Sequence, residues 1–381
     1  MKRINFILFL LFTAFLFTVR ASAYDYSFYP DESRKGIAED EIDDMLSSLP
    51  DEIREKIVLP DSQNADKITE KYSFSFFFES IKDAITEEMP FHLNRLSVSV
   101  GMLILISLIR KSQMCLSSPA LSPAINMCTC LASALTVYSM EKNILSSVGT
   151  FMKVISETMM FMVPIMEAAC ISGGNITTAS VTATGINIMI TFTESVFSNI
   201  LSPAVSVCFL LSAVASVTNN KGIIFMSKTI RSIVTWLLVL IMSLMTLALT
   251  LQTGASSSAD TFASRAIRFA LGSYIPIVGG AVSDSFSLLS GSISAMKSII
   301  GITGIVIIIL ICLAPLVSLM MAKFVSYIAS NAAGMLDCDA EKELYSELGG
   351  CYTLLIAVVL SASIMYIIAL SVFCKTSGVF K

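Results

Sequence analysis

Three glutamates, Glu157, Glu167 and Glu194, fall within or at the margins of long apolar runs. A carboxylate near the centre of a bilayer costs about 2.5–3.5 kcal/mol on insertion scales, so such a group faces a cavity or a partner rather than lipid. Lys153 stands four residues before Glu157, where two side chains meet on one helix face, and that pair neutralises itself. Glu194, flanked by Thr191, Thr193 and Ser195, is the best candidate for lining a polar path. An interfacial or internally hydrogen-bonded position is the competing reading. Arg265 and Arg268 lie near one face of a small-residue amphipathic helix marked by Ala263, Ile267, Ala270 and Leu271, and Pro276 with Gly279 and Gly280 then breaks the pattern. Broken backbone at membrane depth persists only where protein or water surrounds it. The stretch 252–297 is therefore a candidate re-entrant or pore-side element, with a buried surface loop as the alternative.

Little else points to catalysis. His92 is the only histidine and falls at the start of the first apolar span, which leaves no histidine for acid–base or metal chemistry inside the others. His-Glu-x-x-His, the Walker loop and Gly-x-Gly-Asp are all missing from the sequence. Ser290-Gly291 has no membrane histidine to activate it as a nucleophile. The nine cysteines fall mostly within or beside apolar runs, and none lies in 24–90. They read as small buried hydrophobes rather than ligands or a disulfide framework. The expectation is a protein without catalytic residues, metal or cofactor.

The elements that position these residues follow from composition. Apolar residues make up 55% of the 381, charged residues 14%, and mean hydropathy is +0.77. A soluble domain carries about 25% charged residues. With so few charges, large apolar patches would face water, so the solvent for most of this chain is lipid. Charge is also divided unevenly. Residues 24–90 hold 18 acidic and 7 basic residues, whereas the rest of the chain is slightly basic and carries no basic stripe suited to nucleic acid.

At the amino terminus, Lys2 and Arg3 precede the apolar run Ile4–Val19 and the small residues Ala21-Ser22-Ala23. This is the pattern of a signal peptide, 1–23, with cleavage expected before Tyr24 and an uncleaved anchor helix as the alternative. An acidic helical extracytoplasmic segment, 24–92, follows, with Ile42, Met45, Leu46 and Leu49 at helical spacing and a Phe-rich amphipathic stretch from Tyr72 to Met89. Residues 93–381 form an all-α, polytopic bundle of about seven or eight transmembrane helices. The spans are expected at 93–109, 119–139, 149–171, 230–251, 299–321 and 352–373, with 181–218 crossing once or twice around Ser202-Pro203. Arg110-Lys111 and the group Lys221, Lys228 and Arg231 would lie on the cytoplasmic side, with Glu141-Lys142 in an external loop. Small residues at 182–185, at 202–206 and at Gly301 and Gly304 let helices approach closely, within one chain or between copies in a homo-oligomer.

The order of these features, and above all the element Leu251-Gln252-Thr253, Ala259-Asp260 and Gly272-Ser273-Tyr274-Ile275-Pro276-Ile277-Val278-Gly279-Gly280-Ala281, resembles the stage III sporulation protein AE family over essentially the whole chain. The resemblance implies a multi-pass subunit of the stage III A complex in the mother-cell membrane around the engulfed forespore. Its partners would be the other stage III A membrane proteins and, across the intermembrane space, the stage II Q protein. The complex is expected to act as a channel or secretion-like apparatus that sustains the forespore, and the family brings no catalytic residues with it. A self-sufficient secondary transporter is the alternative. It predicts repeated halves with interrupted helices, and no internal repeat is visible.

Overall fold

The computed structural model describes residues 74–115, 121–172, 174–218, 220–274 and 279–375, with the side chains of 113–123, 140, 217, 263–264, 266–300 and 374–375 outside that description. The expected signal peptide and residues 24–73 of the acidic segment also lie outside it. The described chain is helical: α1 (Phe74–Cys115), α2 (Leu121–Ser172), α3 (Ile176–Val196), a π-helical turn (Phe197–Leu201), α4 (Ser202–Thr218), α5 (Lys221–Tyr274), α6 (Gly279–Met335) and α7 (Asp339–Lys375). Among the described residues there is no strand.

Among the described residues, six helices are long and apolar enough to cross a membrane: 75–112, 124–172, 176–216, 221–262, 301–335 and 339–373. The expected seven or eight is not reached among the described residues, because two anticipated breaks are absent. The spans placed at 119–139 and 149–171 belong to one helix, α2. No glycine or proline interrupts Glu141 to Val148, and Ile144 and Val148 continue the buried stripe begun by Val137. Glu141 is not in a loop; it is a buried mid-helix residue. At 52 residues α2 is about 78 Å long, against about 30 Å for a hydrocarbon core, so the bundle extends beyond the bilayer.

The region 181–218 is likewise one helical path. Pro203 has no N–H for the carbonyl four residues back and its ring crowds that carbonyl. The π turn sits directly before it, with the Ser202 N–H bonding the Phe197 carbonyl five residues back, so the helix gains one residue instead of breaking. The Phe-rich stretch after Tyr72 and the first apolar run also share one helix, α1, which passes through Pro90.

Helices α6 and α7 form the central hairpin, and α7 buries Tyr352, Tyr366 and Phe373 completely. Their turn is a Schellman motif: Asp337 adopts φ 56°, and the Cys338 N–H bonds the Ala333 carbonyl at 2.9 Å. Burial there pushes the Cys338 thiol above its ordinary value. Close approach by small residues occurs at two of the expected places, Gly185 and Gly304. A Cβ on Gly304 of α6 would meet Met162 Cε of α2 at 2.5 Å and Leu370 Cδ1 of α7 at 3.0 Å. Along α3 and α5, Thr182 Oγ1 donates to Thr253 Oγ1 at 3.2 Å, and Gly185 leaves room for Leu249 and Gln252. At the end of this seam Asp260 caps α3. Its carboxylate accepts the N–H groups of Thr177 (3.2 Å) and Thr178 (2.7 Å), which the first turn of a helix leaves unpaired.

Candidate functional site

Three buried cation–anion clusters converge on the first half of α7, which presents Glu341, Glu347, Cys351 and Tyr352. Glu341 and Tyr352 are about 16 Å apart along the helix axis. Around Tyr352, Arg95 of α1 and Glu141 of α2 form an ion pair. The Arg95 guanidinium also donates to the Tyr352 hydroxyl at 2.8 Å, and that hydroxyl donates to Glu141. Phe209 of α4 packs edge-on against the tyrosine ring. Nearer the start of α7, Arg110 pairs with Glu341 at 2.8 Å, and the Cys130 thiol donates to the same carboxylate at 3.5 Å. On the α5 side, Arg231 binds the Glu347 carboxylate (2.6 Å), its backbone carbonyl (2.9 Å) and Cys351 Sγ (3.5 Å). Lys228, exposed, reaches the second oxygen of Glu347 at 3.1 Å.

The geometry follows from an antiparallel α1–α2 hairpin in which Arg95 lies opposite Glu141 and Arg110 opposite Cys130. Ser107 on the same helix donates to the Leu336 carbonyl at 3.2 Å and so ties α1 to the α6–α7 turn. Each charge is met by an opposite one, which removes most of the penalty of burying it. Breaking such a pair leaves an uncompensated charge inside. The clusters retain unpartnered polar atoms at Arg95 Nη1, Glu141 Oε2, Arg110 Nε and Glu341 Oε2. Their chemistry is charge neutralisation and helix clamping. Among the described residues no three His, Cys, Asp or Glu side chains group as a metal site.

A fourth cluster joins α1 to α6. Ser318 Oγ donates to Glu88 Oε2 at 2.8 Å, and His92 Nε2 lies 3.1 Å from the same hydroxyl and 3.4 Å from the same carboxylate. A serine nucleophile needs its hydroxyl on one imidazole nitrogen and the carboxylate on the other. Here both meet Nε2 while Nδ1 is buried without a partner, so the arrangement is a helix–helix clamp. Beside it a cleft of about 230 Å³ opens between α1, α2 and α6, lined by Asp83, Glu87, Phe151 and Pro315 among others.

The residues singled out from sequence lie elsewhere. Glu157 pairs with Lys153 at 3.7 Å, and Glu167 is half-buried. Glu194 is exposed on the outer face of α3, away from the charge clusters. Arg265 is exposed on α5; Arg268 lies on the same helix with its side chain outside the described residues. Pro276 is outside the description, between the end of α5 and the start of α6, whose first turn contains Gly279 and Gly280. Sequence reasoning missed Arg95, Glu141, Glu341 and Glu347, whose partners are distant in sequence. It did place Arg110, Lys228 and Arg231 on one side, and they do gather at one end of the bundle around the start of α7.

A family model described as Stage III sporulation protein AE (spore_III_AE) matches residues 62–377. A curated protein named Stage III sporulation protein AE, from Bacillus subtilis (strain 168), is 20% identical over 208 residues. The alignment covers 55% of this chain and 49% of that protein, so the matched part spans about half the length of the relative. No solved structure matches.

Proposed function

The chain belongs to the stage III sporulation protein AE family, and from that premise we propose that it is a non-enzymatic membrane subunit of the stage III A channel or secretion-like complex. It would work in the mother-cell membrane around the forespore and be needed for forespore development after engulfment. The observation that carries this reading is the family match across 62–377, which takes in every described helix. The buried charges support it: they are matched in pairs and hold α1, α2 and α5 against α7, a scaffold's use of charge. The amino-terminal acidic segment, exported by the signal peptide, would face the intermembrane space and meet the stage II Q protein.

The test is deletion of the gene with affinity purification of the tagged protein from sporulating cells. Arrest after engulfment, with other stage III A proteins and stage II Q protein copurifying, is the expected result. Normal spores and a protein that purifies alone would overturn the reading. In that case solute flux by the lone protein in liposomes would establish the secondary transporter.

A further inference from the structure

Between the exposed Ile176 and Ile200, every exposed residue of the α3 path from Thr177 to Asn199 is polar, whereas the outward residues of α4 from Pro203 to Val214 are apolar. Thr177, Ser180, Thr184, Asn187, Thr191, Glu194 and Ser198 recur at alternating spacings of three and four, which draws one narrow stripe along the helix. From end to end it rises about 32 Å, close to the thickness of a hydrocarbon core of about 30 Å.

The stripe lies at the depth of the bundle's most apolar helices. Thr193 touches Met365 of α7, and Ala179 packs with Cys170 and Phe373. Gly304, in the same layer against Leu370, opens the run Ile305–Leu313 of α6. On α5, which packs beside α3 there, Leu247, Leu251 and Phe262 point outward, 54%, 64% and 78% exposed, as residues facing acyl chains do.

Lipid tolerates the threonines, because the hydroxyls of Thr184 and Thr191 donate back to the carbonyls of Ser180 and Asn187. The side chains of Asn187 and Glu194, one heptad apart, make no hydrogen bond within the chain. An amide and a carboxylate so placed need water or a polar neighbour.

We propose that the outer face of α3 lines a water-filled passage enclosed between copies of this chain. Glu194, the only ionisable group on the stripe, makes that passage favour cations over anions. On a straight helix this three–four spacing drifts by about 20° per heptad, so the stripe follows one axis where copies wind around it in a left-handed supercoil. This deepens the channel reading and rests on it for purpose, but not for geometry.

The test uses the full chain in lipid vesicles, with Cys128, Cys115 and Cys374 replaced by alanine and single cysteines introduced by Thr191→Cys, Thr184→Cys and Leu247→Cys. Water-soluble methanethiosulfonates should modify the two α3 positions at least about tenfold faster than position 247, because a thiol in lipid does not ionise. A cationic reagent should outpace an anionic one at position 191, and Glu194→Gln should abolish that preference. Oxidation should crosslink copies through an α3 cysteine. Equal, slow modification at 184, 191 and 247 would put the stripe in lipid and overturn the proposal. Fast modification without crosslinks at either α3 position would overturn the wall of identical copies, and no effect of Glu194→Gln would overturn its charge role. Monodisperse elution of each variant shows that it folds. Normal sporulation of the deletion strain beside a labelled, crosslinked stripe would sink the complex and leave the passage standing.

Discussion

The guanidinium of Arg231 lies directly against the α7 backbone at Gly350, where a Cβ would meet Arg231 Cζ at 2.7 Å and Nη2 at 2.9 Å. The missing side chain is what lets one cation reach both the carboxylate and the main-chain carbonyl of Glu347. Gly350→Ala should displace Arg231 and lower stability by about 1–3 kcal/mol, the usual penalty for overfilling a packed site. Its neighbour is the control, since a Cβ on Gly349 meets nothing within 4 Å. Gly349→Ala should be neutral or slightly stabilising, by up to about 1 kcal/mol. Thermal unfolding of the two variants in detergent, followed by size-exclusion fluorescence, separates them.

The Arg95–Glu141–Tyr352 cluster predicts strong coupling. Either Arg95→Met or Glu141→Leu alone leaves a buried charge unpaired and should destabilise by about 3–5 kcal/mol. The double variant removes both charges and should recover much of that loss. A double-mutant cycle read by thermal unfolding gives the coupling directly. Additive losses would mean that the two groups do not share a sealed site.

Composition and hydropathy made the helical membrane class legible, and the small residues near 182–185 and at Gly304 marked real close approaches. The number of crossings was not legible, because Glu141-Lys142 reads as a loop unless Arg95 is known to lie opposite it. No local spacing links residue 95 to 141, or 231 to 347; such pairs exist only once the hairpins form. Glu194 was conspicuous for its chemistry, but only the helix face shows that it points outward in line with Asn187. Asp260 was visible as part of a motif without a role, because its partners are backbone N–H groups of a helix that starts more than eighty residues earlier.

That cap carries its own prediction. Asp260 supplies to α3 what Asn175, the residue before it, does not, since Asn175 makes no side-chain capping bond. Asp260→Ala should cost about 0.5–2 kcal/mol, as loss of a cap does, and Asp260→Asn less, because an amide oxygen still accepts. Hydrogen exchange resolves the site. The amides of Thr177 and Thr178 should lose protection in Asp260→Ala while those of α7 keep it, and unchanged exchange at both would remove the capping role.

The α6–α7 turn offers a change in the opposite direction. Asp337 holds φ 56°, a left-handed backbone that costs a residue with a Cβ and is open to glycine. The peptide that follows it is held by the turn itself, through the bond from the Cys338 N–H to the Ala333 carbonyl. Asp337→Gly relieves the strain but enlarges the conformational freedom of the unfolded chain, and the two effects oppose each other. The first wins where the native φ is positive, so Asp337→Gly should raise stability by about 0.5–1 kcal/mol. Asp337→Val, branched at Cβ and confined to negative φ, should lower it by more than that gain. Because the turn joins the two helices that form the centre of the bundle, both changes should move the main unfolding transition rather than a local one. A shift of Asp337→Gly below the parent would show that the aspartate side chain itself holds the turn.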